Sequence, residues 1–129
     1  MSRPKVARAG KRSPRGGDRG MSLQIAVVLS SRDPETAWNA FRFANAAREG
    51  EHEVGVFLMG KGVEVTALRE KEFDVTAQVQ KLRRQGGKVL ACGTCLDLRK
   101  KGEVAHCTTA TMADLLGLVT AADRVVSFG

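Results

Sequence analysis

"LQIAVVLSSRDPETAWNAFRFANAAREG" (residues 23–50) divides into two segments with different periods. Leu23 to Ser30 is a continuous apolar run of strand length, suited to a strand buried on both faces. After it the period changes. Ala37, Ala40, Phe41, Ala44 and Ala47 fall on one face of a helix. Asp33 is placed as its N-cap, with Pro34 at the first helical position, and Gly50 stops it. A strand buried on both faces that runs straight into an amphipathic helix opens an α/β fold.

The alternation continues downstream. "HEVGVFLMG" (52–60) reads as a second apolar strand, and "KGVEVTALREKEF" (61–73) as loop with a helical turn. "DVTAQVQKLRRQGG" (74–87) is helical, with Val75, Val79 and Leu82 on one side and Gly86–Gly87 at its end. "KVLAC" (88–92) is a third strand, "TCLDLRKKG" (94–102) a short helix and "EVAHC" (103–107) a short fourth strand. "TMADLLGLVTAAD" (111–123) is a helix that places Met112, Leu115, Leu116 and Val119 on one face, with Thr111 and Asp114 at capping-box spacing. "RVVSF" (124–128) closes the pattern as a fifth strand. Right-handed crossovers turn this order into a mostly parallel sheet with helices on both faces. Such sheets place their sites at the carboxyl ends of the strands.

The 129 residues suit one domain able to bury a core without disulfide staples. No apolar run approaches the roughly 20 residues that span a bilayer, so no membrane partner is expected. The basic N-terminus lacks the apolar stretch of a secretory signal. These features point to a reducing, cytoplasmic compartment, where three cysteines imply chemistry or metal rather than a disulfide framework. The net charge of +7 is concentrated in residues 1–20, where seven Lys and Arg face Asp18 alone. That segment is expected to be a disordered basic tail, and residues 21–129 the folded domain. The tail reads as a polyanion-binding arm or, more simply, as a solvated extension. The remaining 14 basic and 13 acidic residues nearly cancel, so nucleic acid is not an expected partner of the domain.

The chemistry concentrates in "KVLACGTCLDLRKKGE" (88–103). Cys92 ends a strand and precedes a helix, where unpaired amides favour a thiolate, the reactive form of cysteine. Gly93 allows a close backbone approach, and Thr94 is placed to cap the helix. Both can offer N–H groups to an anionic sulfur. Arg99, Lys100 and Lys101 follow, and their charges help only if the fold returns them to the thiols. Cys92 alone also reads as a small buried hydrophobe. The pair leaves two rivals open. A dithiol redox protein fits the CxxC spacing, although the prolines (Pro4, Pro14, Pro34) all lie upstream. A zinc site would use Cys92, Cys95, His106 and Cys107, but adjacent strand residues point to opposite faces. Without metal, His106 is a proton carrier, a thiolate partner or an ordinary polar residue. No nucleotide-binding motif is present, and no cofactor is implied. His52, Trp38 and Phe41 read as structural.

Three segments in order, "EVGVFLMG", "VLACGTCLDLR" after a Gly-Gly turn, and "MADLLGLVTAADRVVSF", together resemble the DsrE/TusD-like (DsrE/DsrF-like) sulfur-relay family. The resemblance covers about residues 23 to 129. It implies a three-layer α/β/α fold with a parallel five-stranded sheet, a cytoplasmic homo-oligomer and no cofactor. It also implies a sulfurtransferase-like activity, in which sulfane sulfur is carried as a persulfide and passed between a donor and an acceptor protein. Cys92 matches the family's sulfur-carrying position, and Cys95 the second cysteine of a subgroup reading CGTC. Cys107 maps onto no family position. The alternative is a non-enzymatic metal-binding or dithiol redox subunit built on the same pair.

Overall fold

The computed structural model describes residues 22–102 and 104–129. The stretch expected to be a basic tail lies outside the described residues. Five strands, β1 (Gln24–Leu29), β2 (Glu53–Leu58), β3 (Lys88–Cys92), β4 (Thr108–Ala110) and β5 (Arg124–Phe128), form one sheet in the order β4-β3-β2-β1-β5. Every pairing is parallel. The helices are α1 (Pro34–Glu49), α2 (Val75–Arg84), α3 (Gly93–Leu98) and α4 (Met112–Ala121), with a 3-10 helix at Gly60–Ala67.

Strand order assigns the layers. From β1 to β4 the chain steps in one direction, so right-handed crossovers put α1, α2 and α3 on one face. The step from β4 to β5 returns across the sheet and puts α4 on the other. This is the expected three-layer α/β/α arrangement with a parallel sheet.

Local chemistry explains the elements. Asp33 accepts from the Thr36 amide at the start of α1, with Pro34 in its first turn, and the Gly50 amide reaches back to Ala46 and Arg48 carbonyls at its end. The Ala37/Ala40/Phe41/Ala44/Ala47 stripe is buried. On α2, Val75, Val79 and Leu82 are buried, and on α4 the Thr111–Asp114 capping box forms. Phe41, Phe57, Leu29 and Leu58 are sealed in the core, each worth about 1.5–3 kcal/mol in transfer terms. His52 is structural, its Nδ1 accepting the Leu23 amide at 3.0 Å.

Three features differ from the sequence expectation. The fourth strand, expected over residues 103–107, lies at Thr108–Ala110. His106 sits at φ 65°, a left-handed conformation that cannot continue an extended ladder, so pairing starts after it. The segment after β2 is an ordered 3-10 helix packed on the core through Gly62, Val63 and Val65. Finally, Met112 and Leu116 of α4 are exposed, whereas Leu115 and Leu118 pack against the core. Gly55 on β2 sets this orientation. A Cβ built there would lie 2.7 Å from Leu118 Cδ1, so the missing side chain is the seat for Leu118.

Asn45 was not singled out by its periodicity, yet it clasps the two large helices together. It is buried on α1, donates from Nδ2 to the Gln78 carbonyl at 3.0 Å, and accepts from Gln85 Nε2 at 2.8 Å. A buried amide is stable only with such partners.

Candidate functional site

β3 delivers Cys92 to the carboxyl edge of the sheet, where the backbone turns directly into α3 with Cys92 as its N-cap. Thr94, expected to be the cap, is instead an exposed residue of the first turn. By strand alternation Leu90 and Cys92 share the sheet face of Gly55, the face covered by α4. Cys92 is sealed, at 2% exposure. Three residues on, Cys95 lies on the first turn of α3 and is half-buried. Both thiols are free and hydrogen-bonding neighbours. Gly93 packs toward β4, where an added Cβ would lie 3.1 Å from Thr109 Cγ2.

The second wall comes from the 3-10 helix after β2. Its first amide, Gly60 N–H, donates to Cys95 Sγ at 3.2 Å. Gly60 holds φ 55°, a conformation suited to glycine, and this aims the amide at the sulfur. Arg99, at the end of α3, reaches back to the backbone of Cys95 and to Glu64. Its Nη1 donates to the Cys95 carbonyl at 3.2 Å, and its Nε meets Glu64 Oε2 at 2.7 Å. Arg32, from the loop after β1, takes the other Glu64 oxygen at 2.8 Å. The loops after β1 and β2 and the helix after β3 are thus joined beside Cys95 by one carboxylate and two guanidiniums.

Burial pushes the Cys92 thiol up from its ordinary value, and its contact with the Cys95 thiol adds to that. The Cys95 and Thr94 amides pull the other way but do not form a capping bond to the sulfur. The helix-start effect expected to ionise Cys92 is present, and desolvation outweighs it. The Glu64 carboxyl is held below the usual carboxylate range, by its hydrogen bonds to Arg99 first and Arg32 second.

The fold does not bring Cys107 and His106 to this site. Cys107 precedes Thr108, whose partner is Leu90, whereas Cys92 pairs with Ala110. Three strand positions, about 10 Å, separate Cys107 from the level of Cys92. Burial pushes the Cys107 thiol up to about 11, against the favourable charge of Arg83. His106 is exposed, its Nε2 within 3.2 Å of Gln80 Nε2 and its carbonyl held by Arg83. It borders an open groove of about 570 Å³ that includes Thr66, Arg69, Lys71 and Asp74 but no cysteine. The donors of the zinc alternative therefore do not converge. Among the described residues no group of three or more His, Cys, Asp and Glu side chains is placed to hold a metal ion.

Gly60, Glu64 and Arg32 were not singled out by the sequence as parts of this site. No local signal marks them, because each meets the thiols or Arg99 only through the crossover connections.

A small parallel α/β/α domain with a dithiol at the carboxyl edge of its third strand is the class defined by this fold and site. The chain belongs to the DsrE/DsrF-like family, whose pattern it matches over residues 24–128. It is 29% identical over 114 residues to an uncharacterized protein of Methanocaldococcus jannaschii, covering 84% of this chain and 100% of that protein. It is 31% identical over 115 residues to an uncharacterized protein of Methanopyrus kandleri, covering 82% of this chain and 95% of the relative. Among solved structures, a conserved protein of unknown function from Bacteroides thetaiotaomicron superposes with a TM-score of 0.63 at 17% identity. It covers 81% of this chain and 94% of its own, a likeness of fold. No helix among the described residues is long and apolar enough to cross a membrane.

Proposed function

We propose that this protein is a cytoplasmic sulfur carrier that takes sulfane sulfur onto the Cys92–Cys95 pair as a persulfide and yields it to an acceptor thiol on a partner protein. One observation carries the reading: two free, mutually contacting thiols sit at the carboxyl edge of the sheet, and one of them is only partly buried, with a backbone amide on its sulfur. Family membership supports it. The chemistry is thiolate attack along a sulfur–sulfur bond, as in thiol–disulfide exchange. A protein partner needs an accessible edge rather than an enclosed pocket, and the edge beside Cys95 is of that kind.

Self-association is part of the proposal. α4 is largely apolar yet buries none of its residues, and Met112, Leu116 and, on the same side of the sheet, Val125 are exposed. A second copy of the chain covering this face accounts for them.

The test is to incubate the reduced protein with an inorganic polysulfide, remove the donor, and take the intact mass before and after adding an acceptor thiol. The reading requires sulfur to be gained by the protein, then lost either to the acceptor or as sulfide with a Cys92–Cys95 disulfide left behind, and not gained by the double variant Cys92→Ser/Cys95→Ser. A Cys92–Cys95 disulfide formed without any sulfur gained or sulfide released would favour the dithiol redox alternative.

A further inference from the structure

We propose a division of labour within the pair: Cys95 is the entry thiol that receives the sulfur, and Cys92 is the buried resolving thiol that discharges it when no acceptor is present. The inference rests on the sulfur-carrier reading and reverses the assignment implied by position in the strand.

Access is the first argument. A persulfide or polysulfide must bring its outer sulfur in line with the attacking thiolate. Cys92, at 2% exposure, offers no such approach, whereas Cys95 on the first turn of α3 is only partly buried. Anion support is the second. The Gly60 amide already donates to Cys95 Sγ at 3.2 Å, whereas at Cys92 desolvation outweighs the pull of the Cys95 and Thr94 amides. Hydrogen bonds to an ionised acceptor are stronger than those between neutral groups, so this amide is placed to hold the anionic sulfur that the transfer passes through. Position is the third. Arg99 fixes the Cys95 carbonyl and is itself held by Glu64, which ties the entry residue to the 3-10 helix carrying the donor amide.

The steps balance. The Cys95 thiolate attacks the outer sulfur of a donor persulfide. The donor's sulfur–sulfur bond breaks, the donor leaves as a thiolate, and Cys95 carries the persulfide. An acceptor thiolate that attacks the outer sulfur restores the Cys95 thiolate. Without an acceptor, Cys92 attacks Cys95 Sγ. The bond to the outer sulfur breaks, and that sulfur departs as hydrosulfide, taking the Cys92 proton to leave as hydrogen sulfide. The two thiols are oxidised to a disulfide as the sulfane sulfur is reduced to sulfide, and an external dithiol restores the pair.

The experiment uses the full chain and its single variants. In the first arm the reduced parent protein is treated with substoichiometric iodoacetamide at pH 7, and the modified cysteines are mapped by peptide mass. Cys95 is expected to react at least about tenfold faster than Cys92. In the second arm each variant meets inorganic polysulfide. Cys92→Ser is expected to hold one added sulfur stably and release no sulfide. Cys95→Ser is expected to gain none. The parent is expected to release sulfide and end as the disulfide. If Cys95→Ser gains sulfur at the parent's rate and Cys92→Ser gains none, the division of labour is overturned and the carrier reading stands. If neither the parent nor either variant gains sulfur or releases sulfide, both fall. Faster alkylation of Cys92 than of Cys95 in the parent overturns the inference without reference to any variant.

Discussion

Gly62→Ala tests whether the 3-10 helix is held against β1 as tightly as the site requires. A Cβ at position 62 would lie 2.2 Å from the Leu29 carbonyl oxygen and 2.9 Å from its carbon. The shortfall from ordinary contact at the oxygen is more than 1 Å, and the obstacle is backbone of a central strand, which cannot rotate away. Overpacking of this kind costs about 1–3 kcal/mol, with rigid backbone at the upper end. The same Leu29 oxygen accepts the Met59 amide at 3.0 Å, and Gly62 N–H closes the first turn onto the Met59 carbonyl at 2.9 Å. Displacing the segment weakens both bonds, at roughly 1 kcal/mol for each one lost. The total is about 3–5 kcal/mol, equivalent to a fall in Tm of roughly 12–20 °C for a domain of this size. Thermal unfolding of the parent and the variant in reductant at pH 7 reads it directly. A Tm within about 2 °C of the parent would falsify the close approach of this segment to β1, and with it the geometry that aims the Gly60 amide at Cys95.

Gly117→Ala should do the opposite. The position is exposed within α4 with nothing within 4 Å of an added Cβ, so helix propensity alone should raise stability by about 1 kcal/mol; a lowered Tm would contradict it. Leu116→Glu, at a side chain 63% exposed, should leave the fold intact and convert the proposed oligomer to a monomer by light scattering. An unchanged mass would remove α4 from the interface. Cys107 should show in the alkaline limb of stability. Its thiol is raised from 9.0 to about 11, so its protonated form favours the folded state fully below pH 9, and that contribution is lost as pH climbs through 11. The shift amounts to about 2.7 kcal/mol, and urea unfolding of the parent should steepen between pH 8 and 11 relative to Cys107→Ala. Parallel pH profiles would show that the thiol is not buried as described.

Much of the fold was legible because its signals are local. Asp33–Pro34, the Ala/Phe stripe of α1, the Thr111–Asp114 box and the continuous apolar strands each depend on near neighbours, and each forms as read. The misses come from decisions made at a distance. α4 is apolar around most of its circumference, so periodicity could not choose a face; the choice was made by Gly55, more than fifty residues earlier, which leaves room for Leu118. The 3-10 helix has no strong period of its own and is fixed by its contact with Leu29. The fourth strand shifts because one residue, His106, adopts a positive φ.

The cysteine pair shows the same limit where it matters most. Spacing and the strand–helix boundary drew attention to the pair, and a rule about helix starts then favoured Cys92 as the ionised thiol. That rule concerns the amides around a sulfur. It is silent about solvent, which tertiary packing settles. The last residue of a strand in a parallel sheet still belongs to the sheet, and here its side chain is part of the buried core, where removal from water raises the cost of charge. A residue three positions later has already joined the first turn of the helix, beside the loop after the neighbouring strand. A C-x-x-C sequence laid across this junction thus separates into one buried thiol and one partly buried thiol. The Gly60 amide then acts on the more exposed of the two.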